Sequence, residues 1–179
     1  MTIKLIGSSS GSTSIDAPAA GGNRTITCPD ATGTMALTSN VLFTSYAILE
    51  HQESHGTGGG DLTSGDWRTR PLNTEVADPD GIVSISSNQF TLQAGTYLIE
   101  WRMPGYNCET WQSRLRNVTD SSTVAQGESH YTRSLYHQDW GEGAARVTIS
   151  GAKAFEIQQY ADSTQNTNGM GAPTSNNTG

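Results

Sequence analysis

Strand-length runs that alternate apolar with polar residues recur through this chain, and each is closed within a few residues by glycine, proline, asparagine or aspartate. That rhythm constrains the fold more than any other feature. Alternation with a period of two sends one face of an extended strand into a core and the other into water, and turn formers at such short intervals leave no room for long helices. After the Trp67–Leu72 stretch the runs are "IVSIS", "QFTLQ", "TYLIEWRM", "QSRLRNVT", "STVAQGESHYT", "ARVTIS" and "KAFEIQQYA". Between them stand "DPDG" at Asp78–Gly81, where proline fixes φ, then Ala94-Gly95, "TDSS" and "SGAK"; Pro104-Gly105 is expected to stop the "TYLIEWRM" strand. Roughly eight strands between residues 44 and 161, with no helical pattern between them, predict an all-β sandwich or barrel.

The first forty residues are different. "GSSSGSTSIDAPAAGGNRTITCPDATGTMALTSN", residues 7–40, is built of Gly, Ser, Thr and Ala, with short alternating pieces at "TIKLIG" and "RTITC". Its apolar set is little more than Ile3, Leu5, Ile6, Ile15, Ile26, Met35 and Leu37. So few side chains cannot offset the entropy of ordering about forty residues at roughly 1–2 kcal/mol each, so the segment needs a partner surface, either copies of itself or another protein. Residues 1–40 are therefore expected to form an extended β-arm, and residues 41–179 a head with its own core. "NVLFTSYAILEHQES" at 40–54 fits either a short helix or a strand entering the head, and a linker running into a strand is the favoured reading.

Charge narrows the function. Seventeen acidic residues against two lysines and eight arginines leave a net charge of −7, which argues against a nucleic-acid partner. No apolar run approaches the length of a membrane span, and the apolar part of "MTIKLIGSSSG" is too short for a secretory signal, so a soluble, unprocessed chain is expected. Cys28 and Cys108 lie far apart without metal-ligand spacing, and both are expected as free thiols in a reducing cytoplasm.

Candidate chemistry is sparse. His51 and His55 in "HQESH" would share a face only in a helix, and the following "GTGGG" points to a loop; no metal site and no cofactor are expected. The glycine cluster lacks the Lys-Ser/Thr of a phosphate loop and reads as a flexible connection. Asp61, Asp66, Glu75, Asp78, Asp80, Glu100, Glu109 and Glu128 stand mainly beside turns rather than as a facing acid pair, so no enzymatic activity is expected. Trp111, Tyr136 and Trp140 sit in polar, turn-rich surroundings, "NCETWQS" and "YHQDWGEG", expected to be loops, where an aromatic can stack on a sugar ring while neighbouring polar groups hydrogen-bond it.

"SSNQFTLQAGTYLIEWRMPGY", followed by "SRLRNVTDSSTVAQGES" and "RVTISGAKAFEIQQYA", resembles the trimeric jelly-roll heads of the tumour necrosis factor and complement globular-head superfamily, in particular the versions carried on bacteriophage and prophage virion proteins. The likeness takes in "SGDWRTRPLNTEVADPDGIVSIS" and so covers roughly residues 44–161. "GSTSIDAPAAGGNRTITCPDATGTMALTS" resembles a short β-repeat found near the N-termini of phage fibre and decoration proteins.

The resemblance implies a non-enzymatic virion surface protein, made in the bacterial host cytoplasm: a homotrimer with a jelly-roll head. Its arm, through Ile3, Leu5, Ile15, Ile26, Met35 and Leu37, would attach to other virion proteins, the major capsid protein or tail components. Phe90, Leu92, Tyr97, Ile99, Trp101, Phe155 and Ile157 are then core or trimer-interface residues. The role is expected to be capsid decoration or cement; the alternative is a tail or head fibre tip whose Trp111, Tyr136 and Trp140 contact host surface glycans. One departure stands out. Heads of this kind end on a strand inside one sheet, and "DSTQNTNGMGAPTSNNTG" offers none, so that strand is expected either beyond residue 179 or supplied by another segment. The first is preferred, because an empty strand position would leave backbone groups unpaired on both neighbours.

Overall fold

The computed structural model describes residues 3–6, 12–15, 43–132 and 136–174, the first two segments through their strand pairing alone. The chain divides into two units, residues 1–41 and 42–179. In the first, β1 (Ile3–Ile6) pairs antiparallel with β2 (Ser12–Ile15), Ile3 opposite Ile15 and Ile6 opposite Ser12. Ile3, Leu5 and Ile15 thus fall in this ladder, whereas Ile26, Met35, Leu37, Cys28 and the "RTITC" run lie outside the described residues.

The second unit is an all-β sandwich, without a helix among the described residues. Its strands are β3 (Ile48–Glu50), β4 (Arg68–Thr69), β5 (Thr74–Ala77), β6 (Val83–Ser86), β7 (Gln89–Leu92), β8 (Gly95–Tyr106), β9 (Glu109–Asn117), β10 (Ser122–Thr132), β11 (Gln138–Ile149) and β12 (Lys153–Ala161). The larger sheet runs β10-β9-β12-β7-β6, with β4 also on β12; β8 pairs with β11, and β3 with β5. The β6–β7 hairpin turns on Ser87 and Asn88, both at positive φ, the geometry that a two-residue turn between right-twisted strands requires.

Several strands depart from expectation. β8 continues through Pro104 and Gly105 to Tyr106; among the described residues β8 has β11 as its one partner strand, and proline is tolerated in an edge strand, where one side of the backbone needs no donor. The strand expected over Trp67–Leu72 shrinks to β4. β9 begins upstream of the expected run and takes in Trp111, and β11 takes in Trp140, Gly141 and Gly143, residues expected in turn-rich loops.

The core lies between the facing sheets. Phe90, Leu92, Trp101, Phe155 and Ile157 are buried in it, and Tyr97 and Ile99 pack against it half-buried. Phe90 and Phe155 stack at 5.7 Å, and the Trp101 indole N–H donates across the layers to Ser113 Oγ at 2.9 Å. Cys108 is fully buried and free, its backbone N–H donating to Thr132 Oγ1 at 2.9 Å; burial pushes its thiol pKa up and so keeps it protonated and unreactive at neutral pH.

The "GTGGG" stretch is a fixed connection rather than a loose one. Gly59 N–H donates to Gly171 O, Gly60 N–H to Thr167 O, and Leu62 and Gln165 exchange both backbone bonds. A Cβ on Gly59 would stand 2.5 Å from Met170 O, so glycine is needed for close approach. The segment after β12 is thereby held down as an ordered return without a strand of its own, and it buries Met170.

Asp78 organises the expected "DPDG" turn. Its carboxylate accepts from Ile82 N–H at 2.9 Å and Val83 N–H at 2.9 Å, and these bonds, Ile82's foremost, lower its pKa. A carboxylate depressed in the folded state adds stability above its unfolded pKa and loses it as pH falls through the folded value. Asp78→Asn is therefore expected to lower the urea midpoint at pH 7 and to flatten its decline below about pH 4. Parallel pH profiles for the two proteins would contradict this role.

Candidate functional site

The sandwich is closed on one side and open on the other. β10 and β11 close it, approaching so tightly that a Cβ on Gly127 would stand 2.6 Å from Glu142 O. On the far side, between β8 and the segment running from Phe43 into β3, lies a groove of about 1320 Å³. Its lining includes the core residues Phe90, Leu92, Met103 and Ile157, together with Tyr97 and Ile99. These last two, expected in the core or a trimer interface, are half-buried because they border the groove.

Arg70 also lines the groove. It is 8% exposed, and among the described residues no carboxylate lies within ion-pair distance. Its Nη1 donates two long hydrogen bonds, to Pro104 O at 3.4 Å and Gln159 Oε1 at 3.5 Å. Burial pushes its pKa down to about 10, so the guanidinium stays charged at neutral pH with its desolvation poorly compensated. At one end of the groove His51 Nε2 lies 2.7 Å from Glu53 Oε1. Among the described residues no three His, Cys, Asp or Glu side chains are grouped to hold a metal ion.

Three exposed apolar side chains, Phe43, Tyr46 and Leu98, are among those that line this groove, and Ile48 on β3 and Val76 on β5 are exposed as well. On the outer face of β8 and β11, Arg102 forms an ion pair with Glu142 at 3.3 Å and sits over the Trp140 ring at 4.8 Å.

The three aromatics expected at a sugar-binding surface do not act together. Tyr136 is 86% exposed and Trp140 46%, but Trp111 is 1% exposed. Trp111 points inward from β9, stacks on His130 at 4.9 Å, and lies over Gly105 and Gly141 of the facing strands. It is a core residue and is withdrawn as a glycan contact, because nothing outside the sandwich can reach its ring.

A second aromatic and polar group lies on the outer face of the larger sheet, where the sequence reading assigned no site. Arg114 sits over the Trp67 ring at 4.0 Å, Trp67 packs on Tyr160 at 5.6 Å, and Arg114 Nε donates to Gln158 Oε1 at 2.6 Å. The signal for it was present: in "KAFEIQQYA" the residues alternating with the core positions are Glu156, Gln158 and Tyr160. Arg114 and Trp67 join them only through the pairing of β9 with β12 and the position of β4.

No protein-family model matches the chain, and no curated protein matches it either.

Proposed function

We propose that the protein is a non-enzymatic structural component of a bacteriophage virion: a homotrimer whose jelly-roll heads stand on the particle surface and whose N-terminal arms fasten it there as capsid decoration or cement. The observation that supports the assembled state is the open groove itself, lined by the core residues Phe90, Leu92, Met103 and Ile157 and by the exposed Phe43, Tyr46 and Leu98. An open apolar groove that exposes part of a core marks an interaction face. The arm reading rests on composition: the head holds nearly all the large apolar residues, so many weak arm contacts multiplied over three copies would secure attachment. A fibre tip that binds host glycans is the second reading, favoured by the exposure of Tyr136 and Trp140.

Localising this chain in a reconstruction of the intact particle, together with its copy number, tests both. Copies on the order of hundreds, spread over the capsid, are expected for decoration, and roughly a dozen at the tail for a fibre tip. A particle made in cells expressing the chain but lacking it altogether would overturn the virion reading.

A further inference from the structure

We infer that the groove between β3 and β8 is a strand-binding site, filled in the assembled protein by an extended segment from the N-terminal arm of a second copy of this chain. The inference rests on the reading of the protein as an assembly of like copies and is independent of the virion.

The backbone is the first argument. β8 pairs with β11 along all 12 residues, yet from Gly95 to Met103 its other edge meets no backbone partner among the described residues. β3 is paired on one side, with β5. The β8 edge, free of a backbone partner among the described residues, presents a row of N–H and C=O groups, the arrangement to which an added strand binds. The groove's lining is the second argument: Phe90, Leu92, Met103 and Ile157 belong to the core, so the groove is a gap in a layer rather than a dent in a surface. Arg70 is the third. Its guanidinium has five donors, of which only Nη1 is engaged among the described residues, and an incoming backbone brings carbonyl acceptors to it.

The arm carries a segment that suits the site. Residues 33–41, "GTMALTSNV", contain no charge and no proline, and Met35, Leu37 and Val41 fall on one face with Thr34, Ala36, Thr38 and Asn40 on the other. Nine extended residues span about 30 Å and match the free edge from Gly95 to Met103. The same copy's segment is a poor occupant. It leads at once into Phe43–Ala47, which already line the groove, and a reversal there would consume the residues that alternate, in a stretch without glycine or proline. A second copy carries the same segment with no such constraint, and exchange would cover Phe43, Tyr46 and Leu98 as well.

The test uses the full chain. A photo-crosslinking p-benzoylphenylalanine is placed at Leu98, which lines the groove and is 47% exposed. Chains labelled with ¹⁴N and ¹⁵N are mixed in denaturant, refolded together and irradiated, and the crosslinked peptides are sequenced by mass spectrometry. Links from position 98 to residues 33–41 are expected, about half of them joining the two isotopes, as random mixing of equal amounts requires. The variant with both Met35→Asp and Leu37→Asp is expected to lose those links while keeping its β-sheet circular dichroism. Links within one isotope only, links to other residues only, or full-yield links in the double variant would overturn the inference. Sedimentation separates it from the broader reading: an assembled trimer with no arm links overturns the strand site alone, and a monomer overturns both.

Discussion

Replacing Trp111 with alanine is expected to cost about 3–5 kcal/mol of stability, whereas Trp140→Ala is expected to stay within about 0.5 kcal/mol of the parent. The two residues look alike in sequence, each an isolated tryptophan among polar neighbours. Trp111 nevertheless fills the space between the sheets: it is fully buried, flat against His130, and its ring lies where Cβ atoms of Gly105 and Gly141 would otherwise stand. Its indole N–H finds no acceptor among the described residues, so the ring is held by packing and not by a hydrogen bond. Alanine would leave a large cavity lined by rigid strand backbone that cannot collapse into it. Trp140 lies on the outer face under Arg102, where its loss removes one exposed cation–π contact. Urea unfolding of the two variants measures the difference. Equal losses would mean that Trp111 does not fill the core.

Gly143→Ala is expected to destabilise the head by about 1–3 kcal/mol, and Gly143→Val by more. Gly143 lies opposite Trp101 in the β11–β8 ladder and faces inward, and a Cβ there would overlap Trp101 Cζ2. The indole cannot simply turn away, because its N–H is committed to Ser113 Oγ on the opposing sheet. Any added side chain must therefore displace a ring that is both packed and hydrogen-bonded. In a Trp101→Leu background the same glycine substitution should cost far less, since the ring it opposes is gone. Denaturation midpoints over this double-mutant cycle give the coupling directly. Additive losses would show that glycine is needed at 143 for some reason other than the ring.

Both cases show where sequence reading stops. "NCETWQS" and "YHQDWGEG" read as turn-rich because glycine and polar residues there satisfy local rules for bends, yet Glu109–Asn117 and Gln138–Ile149 run as strands. Gly105, Gly141 and Gly143 are explained by rings that arrive from residues 101 and 111, and no local pattern carries that information. "GTGGG" was misread for the same reason: its partner is the segment at residues 165–171, more than a hundred positions away. Arg70 shows no distinguishing context in "DWRTRPLN", and its burial without a carboxylate emerges only when β4 is laid on β12.

What the sequence determined by itself is the class of fold and the identity of part of the core. Period-two alternation between turn formers makes an extended chain with one apolar face, and it brought Phe90, Leu92, Trp101, Phe155 and Ile157 into the interior without knowledge of which strand meets which. What the tertiary structure alone decided is the order of the strands, and with it everything that depends on which edge stays free. Strand pairing joins residues distant in the chain, and its register depends on side chains fitting across two layers at once. That fit, of indoles over glycines on one side and, among the described residues, of no strand beside the free edge of β8 on the other, placed Trp111 inside and left the groove between β3 and β8 open.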